Sequence, residues 1–263
     1  MHGKMRGFTL IELIMVIVII GILGVMGSKM ITLPMHSYFD QQRRTTLADN
    51  AESALRLMQR DIRRALPNSL RISGGGKVLE LLHTSDGGHY RTQPASDGSG
   101  DVLNFTATDN SFDILGTLSN TPQGELVIYN LGQSPADAYA GDNRATLANT
   151  SSSSLIKLST AKRFPLQSPQ QRFFIVDTPI TYRCDTASGH LLRYSGYTIT
   201  AAQPNPPSGV SGQLQVNHLS DCSFSYTSAT ANRAGLLTLQ LNLTDASGES
   251  VRLIQQVHVD NLP

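Results

Sequence analysis

The sequence predicts an α+β protein in which a long N-terminal helix, transmembrane in its first half, is laid on antiparallel β-sheet. Three observations carry that expectation. No charged residue occurs from Leu13 through Ser28, where Leu, Ile, Val and Met dominate. Farther on, apolar residues recur at steps of three and four up to Pro67. Past Pro67 the apolar period changes to two. A period near 3.6 marks one face of a helix, and a period of two marks one face of a strand.

Residues 1–7 form a short basic leader containing Lys4 and Arg6. Residues 8–28 follow as the expected transmembrane segment. Counted from Phe8, the apolar stretch reaches Met26, close to the ~20 residues a helix needs to cross a bilayer. With Lys4 and Arg6 on one side, the positive-inside rule puts the leader in the cytoplasm and the rest of the chain outside. Glu12 breaks the pattern. A charge at the centre of a membrane helix costs about 2.5–3.5 kcal/mol on insertion scales, and the span contains no Lys or Arg to offset it. The carboxylate must snorkel to the near interface or meet a positive charge on another molecule. A free amino terminus on a neighbouring helix would serve, if the leader were removed.

Gly7-Phe8-Thr9-Leu10-Ile11-Glu12 resembles the processing motif of type IV prepilins and type II secretion pseudopilins. The resemblance implies a prepilin peptidase that cuts between Gly7 and Phe8 on the cytoplasmic face and then N-methylates Phe8. It makes Glu12 the subunit-assembly residue, whose carboxylate neutralises the amino terminus of an adjacent subunit. Two other readings fit parts of the pattern. A secretory signal peptide also has a basic start and an apolar run, with Val25-Met26-Gly27 as a cleavage site; a plain membrane anchor would leave Glu12 incidental.

Residues 29–66 continue the helix as an amphipathic segment. Leu47, Ala51, Ala54, Leu55, Met58, Ile62, Ala65 and Leu66 define one face, while Asp49, Glu52, Arg56, Arg60, Asp61, Arg63 and Arg64 define the other. Pro67 ends the run. A helix from Phe8 to Leu66 would measure roughly 90 Å, with Gly21, Gly24, Gly27 and Pro34 as points of weakness. The arginines read as a solvated face with pairs such as Glu52–Arg56.

Residues 67–263 form the expected periplasmic β-rich domain. Strands are predicted at Lys77–His83, Val102–Thr108, Glu125–Leu131, Ser154–Leu158, Arg172–Asp177 and Ile180–Cys184. Others follow at Leu191–Ser195, Gln213–Leu219, Cys222–Thr227, Leu236–Thr244 and Val251–Val259, with hairpin turns at Asp185–Gly189 and Asp245–Gly248. Ser85–Asp101 and Gln133–Asn143 read as polar linkers. The two cysteines, Cys184 and Cys222, match no metal or redox spacing. In an exported chain they point to a disulfide worth roughly 3–4 kcal/mol, free buried thiols being the alternative.

Other chemistry finds little support. The net charge of +1 is not that of a nucleic-acid binder. The seven histidines are dispersed, and no zincin, nucleophile-elbow or phosphate-loop motif occurs. Asp137, Asp142 and Asn143 lack the spacing of a calcium loop. The sequence therefore predicts no catalytic residue, no metal and no cofactor.

Arg60–Ala65, Ile180–Arg183 and Gly189–Arg193 resemble segments of the larger minor pilins of the PilW and GspJ type. Cys222–Tyr226 and the ending Gln256–Pro263 are similar to a minor pilin of mannose-sensitive haemagglutinin (MSHA) pilus biogenesis. These resemblances imply a single-pass inner-membrane protein that later enters a pilus at the cell surface. Its partners would be the prepilin peptidase, other major and minor pilins, the inner-membrane assembly platform and membrane lipid. The alternatives are a type II secretion pseudopilin and, from another class, a membrane-anchored periplasmic enzyme or binding module.

Overall fold

The computed structural model describes residues 7–228 and 235–259, without the side chains of residues 28–34 and 36. The leader residues Met1–Arg6 and the closing residues Asp260–Pro263, on which parts of the sequence reading fall, lie outside this range.

The helix α1 runs from Leu10 to Arg63 and continues through Gly21, Gly24, Gly27 and Pro34. Thr9 caps it: its hydroxyl and its carbonyl both accept from the Glu12 N–H, at 3.4 and 3.1 Å, satisfying a donor that the helix leaves open. The far end comes three residues before the predicted Leu66. Proline disfavours the helical conformation in the residue ahead of it, so the chain into Pro67 turns to strand pairing instead. Leu66 N–H donates to the Leu82 carbonyl at 2.7 Å, and Thr84 N–H to the Arg64 carbonyl at 2.8 Å.

Among the described residues twelve strands follow. They are β1 (Arg71–Ser73), β2 (Val78–Tyr90), β3 (Asp109–Leu115), β4 (Glu125–Ile128), β5 (Arg144–Thr146) and β6 (Leu155–Lys162), then β7 (Arg172–Asp185), β8 (His190–Ser195), β9 (Gln213–Val216), β10 (Leu219–Thr227), β11 (Gly235–Thr244) and β12 (Ser250–Val259). All pair antiparallel. The strands β10, β11 and β12 make a three-stranded sheet; the other nine make a large sheet ordered β5-β4-β7-β2-β3-β6, with β1 beside β2, β8 beside β7 and β9 beside β8.

The large sheet closes on itself. A bridge between Leu147 and Leu158 joins the ends of β5 and β6, supported by Ala148 N–H donating to the Lys157 carbonyl at 2.8 Å. The result is a small barrel filled by Tyr90, Phe112, Leu126, Ile156, Phe164 and Phe173. The long strands β2 and β7 serve two cores. Near Leu79, Leu81, Ile180 and Tyr182 they join Leu47–Ile62 of α1 and the inner face of β10–β12 in one core; farther along β2, Tyr90 belongs to the barrel. Register shifts at His83/Thr84 and Thr84/Asp86 lie between these regions, where bulges bend a strand and increase its twist. Because Leu82 and Thr84 pair with Leu66 and Arg64, just past the end of α1, the barrel lies beyond that end, on the side away from the apolar segment.

Four expectations are corrected. Val102–Thr108 is not a strand: the Asn104 side chain accepts from Thr106 and Ala107 N–H at 2.8 and 3.1 Å, removing donors that a ladder needs, and β3 begins at Asp109 instead. Ser85–Tyr90, part of a predicted linker, extends β2. Its glycines permit close approach: a Cβ on Gly87 would lie 2.9 Å from the Phe173 carbonyl oxygen, and one on Gly88 would lie 3.1 Å from the Phe173 ring. The predicted runs Arg172–Asp177 and Ile180–Cys184 fuse into β7, with Pro179 opposite Leu82. Asp61, assigned by helical period to the solvent face, is only 5% exposed.

Candidate functional site

The N-terminal segment is an apolar helix that its own domain does not cover. Leu10–Gly27 is long and apolar enough to cross a membrane, and none of it is buried in the fold. Gly7 and Phe8 precede the helix in irregular chain, Phe8 being 79% exposed. The Gly7–Phe8 peptide bond is therefore accessible, outside the helical hydrogen-bond ladder. Glu12 lies exposed in the first turn of α1, where the helix dipole favours a carboxylate. Among the described residues no cation pairs with it.

The second half of α1 is held by packing and by one polar cluster that period counting missed. Leu47, Ala51, Ala54, Leu55, Met58 and Ile62 are buried as their spacing predicts, and Arg56 pairs with Glu52 at 2.6 Å. Asp61 accepts from Tyr182 Oη at 2.8 Å and from Arg193 Nε at 2.8 Å. Burial, and then the Asp61 carboxylate, push the Tyr182 hydroxyl well above its ordinary value. The only sequence signal was position: Asp61 adjoins Ile62 at the margin of the apolar stripe.

A second cluster ties the chain after β8 to the large sheet. Arg71 reaches Glu80 at 2.6 Å and the carbonyls of Ala201 and Thr200 at 2.6 and 3.0 Å. Its guanidinium lies 3.6 Å from the centre of the Tyr139 ring, and Tyr197 Oη donates to Glu80 at 2.9 Å. Burial pushes the Glu80 carboxyl up, opposed by Arg71 and Tyr197.

Cys184 and Cys222 are bridged, with Cα atoms 6.4 Å apart. Cys222 faces the core with Phe224, as the alternation of β10 predicts. The bridge joins β7 of the large sheet to β10 of the small one. Beside it Lys77 Nζ donates to Asp221 and to the Cys222 carbonyl, and Phe224 N–H donates to the Gly76 carbonyl at 2.8 Å.

Around Asp137, Asp142 and Asn143 an ammonium group takes the carbonyls that a cation could use. Lys162 Nζ donates to those of Gly141 and Arg144 at 2.6 and 2.7 Å. Among the described residues no three His, Cys, Asp or Glu side chains converge as a metal-ligand set.

Residues 3–28 match the family model described as the prokaryotic N-terminal methylation motif. No curated protein and no solved structure matches the chain. The motif implies processing by a prepilin peptidase and pilin assembly in general, and the apolar helix fits membrane anchoring. The chain thus carries a type IV prepilin-like N-terminal methylation motif, followed by an α+β fold of one apolar helix and antiparallel sheets.

Proposed function

We propose that this protein is a minor type IV pilin-like subunit that acts by assembly rather than by catalysis. A prepilin peptidase cuts it between Gly7 and Phe8 and methylates the new amino terminus of Phe8. The helix then leaves the inner membrane for a pilus, with the β-rich domain displayed outside. The observation that carries this reading is the methylation motif on a helix whose apolar segment is wholly uncovered.

Magnitudes support the role given to Glu12. A charge at the centre of a membrane helix costs about 2.5–3.5 kcal/mol, an upper bound for Glu12 in the first turn of the span. Two opposite charges 4 Å apart attract by about 4 kcal/mol at an effective dielectric constant of 20. Pairing with the amino terminus of a neighbouring subunit therefore offsets the cost, and it also sets the axial register between subunits. Before cleavage that amino terminus does not exist, so the charge pair becomes available only after processing.

Within this reading the C-terminal resemblance to MshO favours an MSHA-type pilus and a role in pilus biogenesis and surface attachment. The Arg60–Ala65 and Gly189–Arg193 tracts are shared in type with GspJ, so a type II secretion pseudopilin is the second reading. Deleting the gene separates them by loss of piliation or loss of secretion.

Intact-mass analysis of the chain from a host with an active prepilin peptidase tests the first step. The expected product begins at Phe8 and carries one added methyl group. A product that retains Met1–Gly7, or that begins at Ser28 after signal-peptidase cleavage, overturns the proposal.

A further inference from the structure

The barrel carries a cationic cleft of about 500 Å³ where β5 approaches β6, within the size range of ligand pockets. Arg144, Lys162 and Arg163 line it, with the hydroxyls of Thr146, Ser159 and Thr160. No carboxylate lines the cleft. Arg144 has a distant counterion, Glu125, at 3.9 Å, and that carboxylate also accepts from Thr146 Oγ1 at 3.0 Å. Lys162 has none in contact: its ammonium is fixed on two carbonyls, which leaves one of its three N–H donors. Arg163 is exposed and, among the described residues, forms no ion pair. Burial and the neighbouring Arg144 hold the Lys162 ammonium below the usual lysine range, against the milder pull of Asp142 and Glu125. An anion in the cleft would relieve that repulsion.

We infer that this cleft binds an acidic saccharide, its sulfate or carboxylate group seated between Arg144, Lys162 and Arg163. Saccharide hydroxyls donate to the oxygens of Thr146 and Ser159, whose own protons go to Glu125 and to the Leu147 carbonyl at 2.9 Å, and meet the Thr160 hydroxyl beside them. Guanidinium groups match the planar or tetrahedral oxygens of such groups. Nucleic acid fits less well. Binding a single strand relies on aromatic platforms for the bases and a basic groove along the backbone; here no aromatic side chain lines the cleft, and the cations form one local cluster. The barrel lies beyond the C-terminal end of α1, so an anchored or assembled chain would present the cleft away from its apolar segment.

The filament reading matters here only for where the cleft is displayed. Binding is measured on the full chain in detergent before any processing, so the two proposals fail separately. The probe is a sulfated hexasaccharide, with single-stranded DNA of equal charge as competitor. Saturable binding is expected, weakened about tenfold by loss of one charge-assisted contact in R163Q and further in R163E. The control R44E makes the same charge reversal on an exposed helix position far from the cleft and should bind like the parent. Unchanged melting of the Arg163 variants confirms that they fold. Absence of binding, equal weakening by R44E, or equal affinity for DNA overturns the assignment.

Discussion

Tyr182 Oη lies 2.8 Å from Asp61 Oδ2, joining side chains 121 residues apart in sequence. The same oxygen accepts from Arg193. The hydrogen bonds fix the last turns of α1 on β7 and β8, directly before the chain leaves helix for sheet.

Removing the carboxylate in Asp61→Ala takes away the counterion of the Arg193 guanidinium, whose side chain is only 18% exposed, and leaves it the Ser195 hydroxyl at 3.3 Å. Breaking such a pair from one side is strongly destabilising, here about 2–4 kcal/mol once partial exposure is allowed for. Tyr182→Phe removes one hydrogen bond to a charged acceptor and should cost about 1.5–3 kcal/mol. Chemical denaturation of the full chain in detergent reads both. A double variant whose loss equals the sum of the single losses would show that the two residues do not act as a unit.

The bridge between Cys184 and Cys222 spans a sequence separation of 38 residues and fastens one sheet to the other. Its loss in a Cys184→Ser, Cys222→Ser double variant is expected to cost roughly 3–4 kcal/mol, chiefly by releasing the unfolded chain. Reductant should lower the melting temperature of the parent and leave the variant unmoved. An equal response in both would show that the bridge carries none of the stability.

Beside the bridge, the hydrogen bond from Lys77 holds the Asp221 carboxyl below its ordinary 3.8. A depressed carboxylate contributes stability above its unfolded value, and that contribution disappears as pH falls through the lower folded value. Asp221→Asn is therefore expected to melt below the parent at neutral pH, with the gap closing under acid. A gap that persists after Asp221 is protonated would assign the difference to something other than this charge. Glu80 runs the other way. Its carboxyl is raised by burial, so acid favours its folded state and does not contribute to the loss.

Local pattern made some elements legible and concealed others for definite reasons. The stripe from Leu47 to Ile62 and the alternation of Leu237, Leu239, Leu241 and Leu243 are buried as read, because each element covers one face and leaves the other to water. In β2 the same reasoning breaks down: Glu80 and Leu81 are both fully buried, since the strand is covered on both faces and Arg71, Tyr139 and Tyr197 surround the carboxylate. The pair Gly87-Gly88 reads as part of the linker Ser85–Asp101, but it lies in β2 against the Phe173 carbonyl and ring across the sheet. Closure of the barrel depends on Leu147 meeting Leu158, a contact with no local signature. At the amino terminus the relation is reversed. Gly7, Phe8 and Glu12 stand out in sequence although nothing in the fold calls for them, and among the described residues no cation pairs with Glu12.

That absence makes Glu12 the sharpest test of assembly. Glu12→Gln keeps the shape of the side chain and removes its charge; Glu12→Val removes both polarity and charge. Neither change opposes membrane insertion, because a neutral residue costs less than a carboxylate within hydrocarbon. Both variants should therefore appear in the inner-membrane fraction at parental levels and lose their leader normally. What they lack, on the proposed assembly, is the anion that would offset a neighbour's amino terminus, an attraction of about 4 kcal/mol at 4 Å and an effective dielectric constant of 20. Incorporation into sheared filaments, quantified by immunoblot against the membrane pool, should fall at least severalfold in both. If only Glu12→Val is impaired, the residue acts through hydrogen bonding rather than charge. If both assemble like the parent, Glu12 does not set the register.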